Sequence, residues 1–454
     1  MEGRGRRAEE PFGGKTYEMP SSETVSTKLE RIAELAQRMR GTPLTSLSHY
    51  IDLDWMHEAW RRTRKNAAPG VDGQTAADYE QGLEAKLQDL LNRAKSGRYV
   101  APPVRRVYIP KGRGDEKRPI GIPTLEDKIL QRAVAMVLGA VFEQDFSDCS
   151  YGFRPGRSAH DALESLWQGM MHVGQCWIVE VDIRQFFDKL DPARLRTVLD
   201  LRVRDGVLRK LIDKWLKAGV MEAGQLHYPD SGTPQGGVIS PLLANVFLHR
   251  IVDTWIERTV APQLRANVQL VRYADDMVLV FRDEQDARRV FAALPQRFAE
   301  WGLELHPDKT KLIEFRQPPY RRRERPHSSF DFLGFTHYWG RSQKGGWIVK
   351  RKTAKDRQSR TLSRLNEWCR KNRHVHVREQ HRVLCLKLRG HYAYFGLTGN
   401  GPCLRSILAH ARRIWRKWLD RRCWKAYMCW ERFQALERRF PLPPVRIVRS
   451  VCRR

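Results

Sequence analysis

Two adjacent aspartates, Asp275 and Asp276, interrupt a long apolar stretch in the middle of the chain. Apolar residues dominate positions 268–273 and again 277–281. Such runs are typical of buried strands, and the short polar break predicts a tight turn between them. Two carboxylates held against a buried sheet repel each other, and bound cations offset that cost. The chain is therefore constrained to place an acidic turn at the edge of a hydrophobic sheet.

The surrounding pattern predicts an α+β sheet between residues 176 and 335. An apolar run over residues 177–181 ends at Asp182, and helical patterns follow it. After the paired strands, Asp283 can cap a helix whose apolar positions keep to one face. Another strand is predicted to begin at residues 303–305. The order strand, helix, paired strands, helix, strand is the ferredoxin-like order.

Asp182, Asp275 and Asp276 are the candidate chemical centre. Carboxylates fixed on rigid strands can hold two Mg²⁺ ions ~3.5 to 4 Å apart, with Mn²⁺ as an alternative ion. One ion would lower the pKa of an attacking 3′-hydroxyl, and the other would neutralise a leaving pyrophosphate. An isolated Asp-Asp pair is more often structural, because Asp favours turns. The apolar flanks favour the functional interpretation here.

Positive charge is concentrated at the C-terminal end. The chain carries 82 Lys and Arg against 52 Asp and Glu, a net charge of +30. From Gly345 onward there are 29 Lys and Arg against 6 Asp and Glu, or +23 of that total. Such a concentration is typical of nucleic-acid binding, although a merely solvated basic surface is the alternative. No apolar run reaches the ~20 residues of a membrane span, so we expect a cytoplasmic protein with no membrane partner.

A basic helix is predicted over residues 404–419. Its basic side chains lie mostly opposite its apolar face, and we expect them to bind RNA. They are Arg412, Arg413, Arg416 and Lys417. For the tryptophans of the same helix, packing in a core is favoured over stacking on bases.

The motifs, taken together, resemble those of reverse transcriptases. The turn Tyr273-Ala274-Asp275-Asp276 resembles the YxDD motif, and residues 181–188 resemble the first palm carboxylate motif. The other family blocks are matched, in order, by residues 109–112 with 118–123, 150–158, 232–241, 305–311 and 332–335. The match spans about residues 60 to 335. The chain most resembles the reverse transcriptase/maturases of bacterial group II introns.

The resemblance implies a right-hand polymerase of the α+β class. Its palm would be ferredoxin-like, its fingers helical, and its thumb all-α and basic. The expected parts are a mobile tail at 1–26, an N-terminal extension and fingers at 27–175, a palm with interleaved finger elements at 176–340, and a thumb, or domain X, at 341–454. Only ten residues follow Pro444, and no endonuclease pattern is found. The closest resemblance is thus to the compact, endonuclease-lacking, group IIC-like class.

The resemblance also implies a metal-binding set and a general acid. Asp182 would be the shared metal ligand, with the carbonyl of Ile183 completing the shell. Asp275 would be the second ligand, with Asp276 beside it. Lys309 would protonate the leaving pyrophosphate, and Lys311 is the alternative.

Four further residues are implied to bind the incoming nucleotide. Lys111 and Arg118 are suited to hold its triphosphate, as a point charge and a bidentate fork. The ring of Phe187 would occupy the space of a ribose 2′-hydroxyl and so select deoxynucleotides. Gln235, with its neighbouring glycines, would let the backbone approach the new base pair.

The implied function is RNA-directed DNA synthesis on intron RNA during retrotransposition, together with assistance to splicing as a maturase. The implied partners are group II intron RNA, target DNA, the primer-template duplex and deoxynucleoside triphosphates. The intron, the target site, the source of the primer and the oligomeric state are left open. The alternatives are a reverse transcriptase recruited to host defence and a binding-only maturase. An RNA-dependent RNA polymerase is disfavoured by Phe187 and by the Tyr273-Ala274 pair.

Overall fold

The structure is a computed structural model that describes residues 24–110, 117–222, 225–227, 236–318, 328–422 and 427–449, without the side chains of Phe187, Asp188 and Leu226. The helices are α1 Val25–Arg38, α2 Leu53–Arg62, α3 Ala76–Glu80, α4 Leu83–Lys95, α5 Leu125–Phe142, α6 Ala159–Val173, α7 Phe186–Lys189, α8 Pro192–Asp200, α9 Gly206–Leu216, α10 Ser240–Leu248, α11 Glu284–Ala299, α12 Lys355–Lys371, α13 Val377–Phe395, α14 Gly401–Asp420 and α15 Trp430–Arg439. The strands are β1 Val104–Pro110, β2 Lys117–Ile122, β3 Cys176–Val181, β4 Val220–Glu222, β5 Gln225–His227, β6 Val268–Tyr273, β7 Asp276–Phe281, β8 Lys311–Phe315, β9 Ser329–Phe332, β10 Phe335–Arg341 and β11 Trp347–Thr353.

The N-terminal helices begin at capped positions and pack on α5. The side chains of Thr24 and Asp52 accept the backbone N–H groups of the first turns of α1 and α2. Trp55 in α2 is fully buried, and its indole donates to the carbonyl of Ala133 in α5 at 3.0 Å. Helix α5 is buried nearly all round and forms the centre of the largest hydrophobic core. The predicted tail boundary at residue 26 falls inside α1, and residues 1–23 lie outside the described residues.

The central sheet has the strand order β6-β7-β3-β8 and is antiparallel throughout. One face of β3 and β7 packs into the large core with α11, and the other packs into a second core with α6. Burial of both faces explains why residues 277–281 are a continuous apolar run rather than an alternating one. The predicted paired strands are confirmed. So is the cap of α11, where the Asp283 side chain accepts the N–H of Asp286 at 2.9 Å.

The strand predicted to begin at residues 303–305 is wrong in position. Only Leu305 pairs there, in an isolated bridge to Ile183. A turn follows, in which the N–H of Thr310 donates to the His306 carbonyl at 2.9 Å, and the strand β8 starts at Lys311. Because this turn separates residues 303–305 from β8, the strand was predicted too early in the chain.

The expectation of helical fingers is incomplete. A second sheet has the strand order β2-β1-β4-β5; β1 and β2 precede α5 in the chain, and β4 and β5 follow α9. Strand β1 contains Arg105 and Arg106, β2 begins with Lys117 and Arg118, and β4 and β5 are only three residues long. Strands this short and this polar give little apolar pattern to recognise in a sequence.

The C-terminal region starts with a sheet and continues as helices. Strands β9, β10 and β11 form an antiparallel sheet of order β11-β10-β9, so the predicted boundary at 340/341 cuts through β10. Helices α12 to α15 share a third core. Within it Trp415 is fully buried and donates to Gln380 at 3.0 Å, which confirms the core interpretation for that tryptophan. None of the helices in the described ranges is long and apolar enough to cross a membrane.

Candidate functional site

The three aspartates lie at one end of the central sheet. Asp182 directly follows β3, whose last residue, Val181, pairs with Met277 in β7. Asp276 begins β7 opposite Tyr273, so a two-residue turn of Ala274 and Asp275 joins β6 to β7. Strand pairing therefore brings together carboxylates that are more than ninety residues apart in the chain.

The surroundings of the turn disfavour ionisation of its carboxyls. Burial by the surrounding protein, and then repulsion by Asp182, raise the pKa of Asp275. Burial, and then repulsion by Asp275 and Asp182, raise the pKa of Asp276 to about 7. Both side chains are nonetheless open to solvent on one side. A cation that entered from that side would relieve the repulsion.

Asp182 is held by the turn before β8. Its backbone carbonyl accepts the N–H of His306 at 2.8 Å, and its Oδ2 lies 3.1 Å from Nζ of Lys309. Both side chains of this ion pair are about half exposed, at 43% and 52%. Lys311 instead lies on β8, paired in register with Glu180. Of the two lysines considered as general acid, the structure brings Lys309 to the aspartates.

The aspartates fit a divalent ion by the chemistry of their donors. Carboxylate oxygens are the ligands that Mg²⁺ prefers, and strand pairing places the three aspartates at the same end of the sheet. Within the ranges that the structure describes, no three His, Cys, Asp or Glu side chains stand close enough together to hold an ion. Lys309 occupies an oxygen of Asp182 in this arrangement. A metal ion at Asp182 would therefore compete with the ammonium group of Lys309.

The predicted nucleotide-binding residues are only partly described. Arg118 lies on β2 opposite Ile109, with an exposed side chain. Its positive charge partly offsets the rise in the pKa of the Asp275 carboxyl. It therefore lies close enough to the turn to act on it through space. Phe187 is in α7, and its side chain is outside the described residues, as are Lys111 and Gln235.

The glycine that follows Gln235 has a packing role of its own. Gly236 has a φ of 117°, which favours glycine, and a Cβ there would overlap the carbonyl oxygen of Gly121 on β2. Two residues later the N–H of Val238 donates to Oε1 of Gln131, in α5, at 2.7 Å. The described part of the block 232–241 is thus fixed against β2 and α5.

Two neighbours of Asp276 were missed from the sequence. The N–H of Leu333 donates to the Asp276 carboxyl. This hydrogen bond and the positive charge of the nearby Arg357 partly offset the rise in the pKa of Asp276. Leu333 and Gly334 both have positive φ, 49° and 81°, and form the tight turn between β9 and β10. The motif containing Leu333 was recognised, but its contact was not. Arg357, at the start of α12, could not be distinguished in the sequence from the many other arginines of this region.

The four basic residues of α14 divide into two kinds. Arg413 and Lys417 are exposed. Arg412 instead forms an ion pair with Glu437 of α15, where its Nε lies 3.0 Å from Oε2. Arg416 donates to the carbonyl of Met428 at 2.7 Å and lies over the ring of Trp430, 4.6 Å from its centroid. RNA binding by these residues stays a prediction, and two of them hold α15 in place.

Comparison with known proteins gives several relatives of this chain. The group II intron-encoded protein LtrA of Lactococcus lactis subsp. cremoris is 38% identical over 224 residues, 49% of this chain and 37% of that protein. The protein YkfC of Escherichia coli (strain K12) is 34% identical over 292 residues, 57% of this chain and 76% of that protein. Nuclear intron maturase 1 of Arabidopsis thaliana, a mitochondrial protein, is 27% identical over 129 residues, 27% of this chain and 18% of that protein.

The match to a protein family covers the sheet that carries the aspartates. The chain spans only about 37% of the length of the intron-encoded Lactococcus relative. The family described as reverse transcriptase (RNA-dependent DNA polymerase) matches residues 109–337, from the end of β1 into β10. That is half of the chain, and it contains all three aspartates. The chain therefore belongs to the reverse transcriptase family, whose members share a right-hand polymerase fold and generally depend on divalent metal ions.

Proposed function

We propose that this chain is an RNA-directed DNA polymerase encoded by a group II intron, which copies intron RNA into DNA and acts as a maturase. The observation that carries the proposal is the convergence of Asp182, Asp275 and Asp276 at one end of the central sheet. The order β6-β7-β3-β8, with helices after β3 and β7, is that of a ferredoxin-like palm. We assign this sheet as the palm, the sheet of β1 and β2 with the preceding helices as fingers, and α12–α15 as the thumb.

In the proposed reaction the chain holds the reacting groups in place. Two Mg²⁺ ions bound by the aspartates, Asp182 and Asp275 foremost, would supply activation of the primer 3′-hydroxyl and neutralisation of the pyrophosphate. The carbonyl of Ile183 would complete the shell. The ammonium group of Lys309 is placed at the aspartates, where it can pass its proton to the departing pyrophosphate oxygen.

Nucleotide selection is proposed for residues on the finger side. Arg118 would bind triphosphate oxygens through two parallel N–H groups, and Lys111 would add a second positive charge. Phe187 lies in the short helix α7 that follows Asp182, which suits a ring that excludes the 2′-hydroxyl. The held block after Gln235 would present its backbone to the new base pair.

Primer extension tests the polymerase. The full chain would be given a DNA primer annealed to an RNA template, deoxynucleoside triphosphates and Mg²⁺. We expect extension to the template end, with ribonucleotides used poorly. Tight intron-RNA binding without extension would establish the binding-only maturase instead. Efficient use of ribonucleotides would establish an RNA polymerase.

The maturase part rests on the basic thumb and on the relatives. The segment from Gly345 onward carries +23, and one relative is named as an intron-encoded protein and another as an intron maturase. Sequencing the RNA that co-purifies with the chain tests it. We expect an excised intron, and splicing of that intron at limiting Mg²⁺ should need the protein. Host RNAs without an intron would favour the defence-associated alternative.

A further inference from the structure

A buried ion pair lies directly behind the aspartate turn. Arg272 is in β6, and Asp253 ends a π-helical turn, His249–Asp253, that follows α10. Neither side chain has any exposed area. Nε and Nη2 of Arg272 donate to the two carboxylate oxygens of Asp253, at 2.7 and 2.6 Å. The pair thus has full bidentate geometry and no contact with water.

Such a pair is weak evidence for a role in stability. Removing both charges from water is costly, and well-packed apolar side chains of similar volume often serve a fold equally well. Arg272 nonetheless sits inside a mostly apolar strand, next to the buried Val271. Its presence calls for another explanation.

The remaining nitrogen of the guanidinium reaches the turn itself. Nη1 donates to the carbonyl of Ala274 at 3.1 Å and to Oδ1 of Asn245 in α10 at 3.0 Å. Ala274 has a φ of 58°, in the left-handed region that an L-residue adopts only when its surroundings hold it there. The carbonyl of Ala274 belongs to the same peptide plane as the N–H of Asp275. The guanidinium therefore fixes the plane from which Asp275 projects.

A second segment, from the motif at residues 150–158, packs against the turn. Nδ2 of Asn245 donates to the carbonyl of Gly152 at 2.6 Å. A Cβ at Gly152 would overlap the backbone nitrogen of Ala274. The backbone of Arg272 also bonds to Cys149 and Tyr151, each at 2.8 Å. The turn is thus held between a close-packed glycine and a buried polar network.

We propose that Arg272, held by Asp253 and Asn245, is a positioning residue that sets the Ala274–Asp275 peptide and so the place of the Asp275 carboxylate. The proposal rests on the proposed polymerase function and deepens it. Chemistry of this kind depends on placement within about 0.5 Å, and a displacement of about 1 Å can cost ~100-fold in rate. The buried charges would then be kept for orientation rather than for stability.

The test removes the pair without leaving an unpaired charge. In the double variant Arg272→Met/Asp253→Leu we expect a melting temperature close to that of the parent, because both charges leave together. We expect kcat for primer extension to fall ~10- to 100-fold, with little change in KM for deoxynucleotides or in affinity for the primer-template duplex. Mn²⁺ affinity, measured by calorimetry on the full chain, should weaken as well, because Asp275 is a proposed ligand.

A matched control removes another buried ion pair far from the turn in sequence. Arg202 is 2.6 Å from Asp145, and it also donates to carbonyls at the end of α1. Arg202→Met/Asp145→Leu removes both charges in the same way, and the folded protein should keep the parental kcat and Mn²⁺ affinity. If the Arg272 double variant does not fold, Asn245→Ala replaces it, since that change keeps the ion pair. We expect it to lower both kcat and Mn²⁺ affinity at least ~3-fold.

Parental kcat and Mn²⁺ affinity in the folded variant would overturn the proposal. A change in only one of the two would also contradict it, because a displaced Asp275 must alter both. Failure of the parent protein to extend a primer would count against the proposed function alone. In that case Mn²⁺ affinity still decides whether Arg272 positions Asp275.

Discussion

The central sheet and the C-terminal region differ in the sign of their functional charges and in how those charges are arranged. In the sheet, strand pairing brings three aspartates to one end, where burial and repulsion raise the pKa values of Asp275 and Asp276. In the segment from Gly345 onward, which contains those helices, an excess of +23 is spread over 110 residues. The first arrangement depends on the position of single atoms, and the second on the sum of many charges.

The difference predicts how each region responds to substitution. Loss of one carboxylate from a convergent set removes a ligand that no neighbour replaces, so the effect should be steep. Loss of one cation from a dispersed set should weaken RNA binding by a small, regular step. Helix α14 sharpens the contrast, because its exposed Arg413 and Lys417 alternate with the paired Arg412 and Arg416.

The largest effect is expected in the palm. Asp182→Asn or Asp275→Asn should lower the rate of DNA synthesis at least ~1,000-fold, or about 4 kcal/mol of transition-state stabilisation, because each removes a proposed metal ligand. Single-turnover primer extension measures this. Glu314→Gln is the control, since Glu314 is an exposed carboxylate on β8 of the same sheet, paired with Arg316 at 2.7 Å. A parental rate in both aspartate variants would remove them from the metal site.

A smaller effect is expected at the fingers. Arg118→Gln should raise KM for deoxynucleotides ~10-fold with a lesser change in kcat, as expected for loss of one charge-assisted contact to phosphate. Lys117→Gln changes the neighbouring exposed residue on β2 and leaves Arg118 in place. Steady-state kinetics on one template compare the two. Equal KM values for both variants would assign Arg118 to the solvated surface.

A graded effect is expected in the thumb. Arg413→Gln/Lys417→Gln should weaken binding of intron RNA several-fold at moderate salt. It should also flatten the plot of log K against log salt by ~1.4 to 1.8, if each side chain neutralises one phosphate. Arg412→Gln/Arg416→Gln should chiefly lower the melting temperature, because it releases α15. If the second pair alone changed the salt dependence, the exposed residues would not be the RNA contacts.

The smallest effect is a pH dependence of stability in the metal-free protein. The folded chain raises the pKa of Asp276 to about 7, above the ~4 of an unfolded chain. Between these values the folded state binds more protons, so stability falls as pH rises. Asp276→Asn removes this titration, and its stability relative to the parent should grow from pH 4 to 7 and then level off. Denaturant melts at several pH values measure it, and a gap that shrinks with rising pH would contradict the assignment.

The sequence predicted the position of the acidic turn better than its surroundings. The apolar runs around Asp275 and Asp276 located the paired strands, because sheets buried on both faces leave a continuous pattern. Strand β8 was placed too early, since Leu303 and Leu305 resemble the start of a strand, but a polar turn at residues 306–310 separates them from β8. The finger sheet was missed because its strands are short and charged.

Long-range contacts could not be predicted from local pattern. Arg272 looks like an error in an apolar strand until Asp253, nineteen residues earlier, is seen beside it. Arg412 and Arg413 are identical neighbours in the sequence, yet only the fold shows that one meets Glu437 and the other meets solvent. Charge composition indicated the kind of partner, but not which cations are free to bind it.

The most direct test measures DNA synthesis on a saturating, pre-annealed RNA template by the parent, by Asp275→Asn and by Arg413→Gln/Lys417→Gln. Saturation removes the contribution of RNA affinity, so only the chemical step remains. We predict extension by the parent, near-complete loss in the palm variant, and a rate within ~3-fold of the parent in the thumb variant. Equal rates in all three, or equal losses in both variants, would contradict the division of labour between palm and thumb. Absence of synthesis by the parent would contradict the polymerase itself.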